Sequence, residues 1–203
     1  MFDLPKSTEI RKPIHKKLIY QKFASELSGD RKNKFDADIS RITIVNEISE
    51  ASVNIRSTDT ISSIFVVQIE LRAKDYNDRN IILVSKLFGQ KLLLVLHHED
   101  KYQLAIYETK LLKSDWRNEE EFSLRINGLD MTVVWENFVM QVSGIEVEDG
   151  NSLEEQISIE GERDKLQTKI NDLERRARKE PQSKKKYEIF QELQECKKRL
   201  ENM

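Results

Sequence analysis

Three groups of residues have the side-chain types and spacing to do chemistry. The first is His97, His98, Glu99 and Asp100. Imidazoles and carboxylates are common divalent-metal ligands, but these four end an apolar run, and neighbours on a strand point to opposite faces. His97 and His98 therefore cannot readily share an ion, and the group reads as turn chemistry. The second is Asp59 followed by Glu70 in "VQIELRAK". Nucleases hold a metal against phosphate with an Asp and then a strand Glu followed two residues on by Lys. Here Arg72 stands in the Lys position and Lys74 is off register. A metal-dependent nuclease using Asp59 and Glu70 is accordingly the alternative reading, and the polar face of a half-buried strand explains Glu70 and Arg72 without it.

The third group is cationic. Arg175, Arg176, Arg178 and Lys179 precede Pro181, and Lys184, Lys185 and Lys186 follow it. With Glu174 and Glu180 counted, this stretch carries a net charge of +5. Cations suit the C-terminus of a first helix, where the dipole favours them by about 0.3–1 kcal/mol, but the dipole opposes the three lysines at the start of a second. Contact with a polyanion, DNA or RNA backbone, would reward the arrangement, because phosphate needs only well-placed positive charge. An acidic protein surface or a merely solvated tip are the other readings.

The elements that must position these groups follow from periodicity. Pro13 can open a helix with Ile19, Phe23 and Leu27 on one side and Gly29 as its end. "RITIV" and "SVNI" read as short strands. In "IFVVQIELR", Phe65, Val67, Ile69 and Leu71 alternate with Gln68, Glu70 and Arg72, as a half-buried strand requires. "DYNDRN" is turn-like, and "IILVSKLFG" reads as a short helix with Leu83, Val84, Leu87 and Phe88 on one side. "KLLLVLHH" and "YQLAIYE" form a hairpin of strands around "EDK", and a charged loop follows over 111–120. Met131, Val134, Trp135, Phe138, Val139 and Val142 mark an amphipathic helix between Asp130 and Gly144. The pattern predicts an α+β domain over 1–147, a mostly antiparallel sheet flanked by helices.

Residues 148–152 read as a linker. In 153–203, Leu166, Ile170, Leu173 and Ala177 are spaced 4, 3, 4, and so are Ile189, Leu193, Cys196 and Leu200. Each is a coiled-coil seam of about two heptads, too short to persist alone in water. Pro181 breaks the run, so the expectation is an antiparallel coiled-coil helical hairpin; a single kinked helix is the alternative. Ile189, Leu193 and Leu200 are also the residues offered to a protein partner.

Charge is unevenly spread. Residues 1–34 hold nine Lys/Arg against four Asp/Glu, 35–151 hold twelve against twenty, and 152–203 hold thirteen against twelve. The net charge of −2 gives no general affinity for nucleic acid. One cysteine excludes an intrachain disulfide framework, and the six glycines are scattered, forming no phosphate loop. No cofactor or metal is expected. Without an apolar leader in "MFDLPKSTEIRKP" or a run near the ~20 apolar residues of a membrane span, the expectation is a cytoplasmic protein.

"LPKSTEIRKPIHKKLIYQKF", "KLLLVLHHEDKYQLAIYETKLLKSDW" and "LERRARKEPQSKKKYEIFQELQECKKRLE" resemble, in this order, the bacterial domain-of-unknown-function family four-three-nine-one. The resemblance covers most of the chain and carries no catalytic residues. It implies company with helicase and DNA-methyltransferase genes in restriction-like anti-phage defence operons. A non-enzymatic adaptor contacting a helicase or DNA methyltransferase, and nucleic-acid backbone through its tip, is the resulting expectation.

Overall fold

The computed structural model describes residues 2–148 and 150–202. The chain divides into two compact units, one up to Gly144 and one from Ile145.

The first unit is built on six strands: β1 (Glu9–Pro13), β2 (Ile39–Ser49), β3 (Ser63–Leu71), β4 (Lys91–His98), β5 (Lys101–Tyr107) and β6 (Leu111–Lys113). They lie side by side in chain order, and every pairing is antiparallel except β3 with β4. The exception has a cause: a parallel pair needs a long crossover, and 72–90 supplies it with helix α4 (Asp78–Ser85). The architecture is α+β, as the alternation of patterns predicts.

One face of the sheet holds the main core. Val67, Ile69 and Leu71 of β3 and Leu92, Leu94 and Leu96 of β4 pack with Ile19 of α1 (Lys16–Lys22) and Phe35 of α2 (Asp30–Asp38). Ile81 and Val84 of α4 complete it. On the other face α5 (Met131–Ser143) packs against β3, β5 and β6. It buries all six residues of the stripe that marks it in the sequence. Asp130 caps it by accepting from the Thr132 and Val133 amides, both at 3.0 Å, and Gly144 ends it at φ +70°. Trp135 is buried, and its indole N–H donates to Glu108.

Several local expectations change. Pro13 closes β1 rather than opening a helix, and α1 starts at Lys16. Helix α1 ends by Phe23, yet Phe23 and Leu27 are still buried. Gly29, at φ +55°, precedes α2 instead of ending a longer α1. "SVNI" is not a strand: Glu50–Val53 is a helical turn, α3, because Ser49 and Ser52 close a capping box and Asn54 adopts the left-handed conformation. The loop 111–120 contributes β6, and Phe88 is exposed rather than buried.

The second unit holds α6 (Leu153–Lys179) and α7 (Ser183–Glu201), about 40 and 28 Å long at 1.5 Å per residue. Three residues, Glu180 to Gln182, separate them, and the helices pack on each other. The hairpin is therefore formed, and the single kinked helix is not. Its core is Leu166, Ile170, Leu173 and Ala177 against Ile189, Leu193 and Cys196, with Leu200 packed alongside. Among the described residues no helix is long and apolar enough to cross a membrane.

Candidate nucleic-acid interface

The helix-covered and open halves of the sheet decide where side chains are available in the first unit. Helix α5 leaves Arg41, Thr43 and Val45 of β2 and Gln68 and Glu70 of β3 lining an open groove of about 300 Å³, joined by Glu9, Arg11 and Asn46. Strand registers put Arg41 opposite Glu70, Glu70 beside His97, and His97 opposite Tyr102. The His97 ring stacks on Tyr102 with centroids 4.3 Å apart, and its Nδ1 lies 2.6 Å from Glu70 Oε2. Gln68 donates to Glu70 Oε1, also at 2.6 Å.

The catalytic candidates are engaged or separated by the fold. Both oxygens of Glu70 already have partners. Asp59 precedes the start of β3 while Glu70 is near its end, so seven strand residues, about 23 Å, lie between them. Thr58, next to Asp59, instead meets Thr132 of α5 at 3.0 Å. The Asp59–Glu70 metal pair that a nuclease needs is not assembled. His98 points to the opposite face from His97, where its Nδ1 lies 3.2 Å from the Leu71 carbonyl. Among the described residues, no three His, Cys, Asp or Glu side chains gather into a group that could hold a metal.

Three of the nine cations in the basic N-terminal segment are engaged by the fold, and the other six, Lys6, Arg11, Lys12, Lys17, Arg31 and Lys34, are exposed. Lys16 pairs with Asp36 at 2.8 Å, Lys22 donates to the Lys86 and Leu87 carbonyls, and Lys32 sits over the Tyr20 ring. Burial works to raise the Asp36 carboxyl, but hydrogen bonds from Lys16 and Tyr20 outweigh it and hold the group below the ordinary range.

The hairpin differs along its length. Away from the bend, three cations are matched, Lys169 with Glu192 at 2.7 Å, Lys197 with Glu174 at 2.8 Å and Arg163 with Glu160 at 2.7 Å, whereas Lys165, Lys198 and Arg199 are exposed without an ion pair among the described residues. The hydrogen bond from Lys197 lowers the Glu174 carboxyl, that from Lys169 lowers Glu192, and Glu192 raises Lys169 in return. Toward the bend the unmatched cations crowd together. Arg175 reaches Asp172 at 2.6 Å and Arg176 approaches the same carboxylate at 3.9 Å. Arg178, Lys179, Lys184, Lys185 and Lys186 are exposed, and none forms an ion pair with the described residues.

Local structure explains little of this. The first turn of α7 contains no acidic residue, and its N-cap, Gln182, makes no side-chain capping bond. Three lysines there oppose the dipole where Asp or Glu would favour it. Geometrically, the bend presents cations from the end of one helix and the start of the next on an exposed tip, suited to phosphates and neutral about base identity.

The residues offered to a protein partner lie at the hairpin seam. Ile189 and Leu193 are buried in the hairpin's own seam, and Leu200 packs against it. Closing the hairpin thus covers most of the face that these residues share. Cys196 is buried in the same seam. Missed by seam spacing were Tyr187 and Phe190, 64% and 45% exposed on α7. The available signal was their position: both fall off the 4, 3, 4 spacing beside Ile189.

No curated protein and no solved structure matches the chain. A family model does, over residues 2–200, so that both the sheet with its open groove and the hairpin with its basic tip lie within it. The chain belongs to the family described as a domain of unknown function, DUF4391.

Proposed function

We propose that this protein is a non-enzymatic accessory subunit that binds the sugar-phosphate backbone of nucleic acid through the tip of its helical hairpin. The observation carrying the reading is the crowding of unpaired cations around the bend. Three cations are matched in the middle of the arm, whereas Arg178, Lys179, Lys184, Lys185 and Lys186, five within nine residues, are all unmatched. A tip serving only stability would place acidic residues in the first turn of α7. The family resemblance adds the setting: an adaptor in a restriction-like defence complex, with a helicase or DNA methyltransferase as protein partner. That partner would meet a surface other than the closed seam.

The test replaces Lys184, Lys185 and Lys186 together with Gln, a residue of similar helix propensity. Fluorescence anisotropy with a labelled duplex then gives affinity as a function of salt. Each phosphate contact contributes about 0.9 to the slope of log affinity against log salt. The triple variant should bind more weakly, with a slope shallower by up to about 2.7. Unchanged affinity and slope would remove the tip from any role in nucleic-acid binding.

A further inference from the structure

Four of the five tyrosines are engaged within the fold. Tyr20 donates to Asp36, Tyr76 donates to Gln103, Tyr102 stacks on His97, and Tyr107 lies under the Lys86 ammonium. Tyr187 is the exception, at 64% exposure and without a partner among the described residues. Phe190, three positions on, is 45% exposed. Residues three or four apart on a helix are surface neighbours, so the two rings adjoin. By the same rule Lys184 adjoins Tyr187, and Lys186 adjoins Phe190.

The second helix adds to this face. Phe190 is two turns from Lys197 on one strip of α7, and Arg178 is one turn from Glu174 on one strip of α6. The Glu174–Lys197 bridge at 2.8 Å holds those strips side by side. Arg178, Lys186 and Phe190 consequently lie on the same flank of the hairpin, toward the bend, with Tyr187 beside Phe190 on its outer edge.

We propose that this flank is a stacking platform for unpaired nucleotides, so that the tip takes single-stranded nucleic acid in preference to duplex. The inference rests on the backbone-binding reading above and deepens it. Lysines alone would serve any phosphate chain. Exposed rings interleaved with cations match the two parts of a single strand, since every base offers a π-face to an aromatic side chain while the backbone runs along the positive charge. A duplex keeps its bases stacked internally and gives the rings nothing to replace. Charge complementarity also sets this occupant apart from a second copy of the hairpin, whose five unpaired cations would repel these.

The experiment uses the full chain with labelled oligothymidylate, oligouridylate and a duplex of equal length. Tyr187→Ala with Phe190→Ala leaves every cation in place and raises helix propensity, so the arm stays folded. Affinity for the tighter-binding single strand should fall at least about fivefold per ring, with its salt slope unchanged and duplex affinity unaltered. Tyr187→Phe should retain wild-type binding, because it keeps the ring. Equal losses on single strand and duplex, or no loss on either, would overturn the platform while leaving the backbone reading intact. Absence of binding to all three probes by the wild-type chain would overturn both. A sedimentation shift showing dimers that the double variant loses, with single-strand affinity unchanged, would assign the rings to self-association and also overturn the platform.

Discussion

The row of Arg41, Glu70, His97 and Tyr102 on the sheet and the cluster at the hairpin tip contain similar residue types, yet the protein treats them differently. In the row, Glu70 holds His97 and Gln68, and His97 stacks on Tyr102. Polar groups on a sheet are brought together by strand register, and the low local dielectric favours satisfying them. No buried side-chain polar atom among the described residues lacks a partner. At the tip, exposed cations stand without carboxylates although the same arm pairs others elsewhere. Conspicuous His and Glu residues thus bond within the fold in one region, whereas plain lysines in the other have no ion pair among the described residues.

The largest expected effect breaks the comparison from the tip side. Leu173→Ala removes a side chain 1% exposed at the centre of a small seam and should cost about 2–5 kcal/mol of hairpin stability. Each helix alone is marginal in water, so far-UV circular dichroism should lose helical signal and nucleic-acid binding should fail. Both tryptophans, Trp116 and Trp135, are in the first unit. Their fluorescence should not move; a change there would mean that the units do not fold separately.

A smaller effect sharpens the sheet side. Glu70→Gln weakens the bond to His97, and because Glu70 is about a third exposed the loss should be about 1 kcal/mol or less by urea denaturation. Nucleic-acid binding should be unchanged. A sharp loss of binding would transfer the functional site to the groove.

The smallest concerns Asp36, whose carboxyl is depressed in the folded protein although burial opposes this. A depressed carboxylate stabilises the fold above its unfolded value, near 3.9, and that stabilisation disappears as pH falls through the folded value. Wild type should therefore exceed Asp36→Asn in stability at neutral pH, with the difference closing in acid. The side chain is 41% exposed, so the difference should stay within about 1 kcal/mol.

Where the pattern is local, the sequence was readable. The α5 stripe, the β3 alternation and both hairpin seams fall where their spacing puts them. Elements that depend on distant partners were not. Strand β1 is five residues that mostly face solvent and exists by pairing with β2 some thirty residues on. The "SVNI" segment has strand-like residues, but two serine side chains turn its backbone into a helical turn. At the tip the cations were legible as a run, whereas Tyr187 and Phe190 emerged as neighbours only once the seam fixed which side of α7 faces inward.

The amino-acid order alone determined the α+β class, the position of the bend and the accumulation of positive charge around it, because each depends on periodicity or on proline within a few turns. Tertiary structure decided that Glu70 meets His97 rather than Asp59, and that Ile189 and Leu193 close on their own hairpin. It also decided which cations remain without a carboxylate. Those outcomes depend on register between strands and on which helix faces meet, and no stretch of sequence carries that information until distant segments pack.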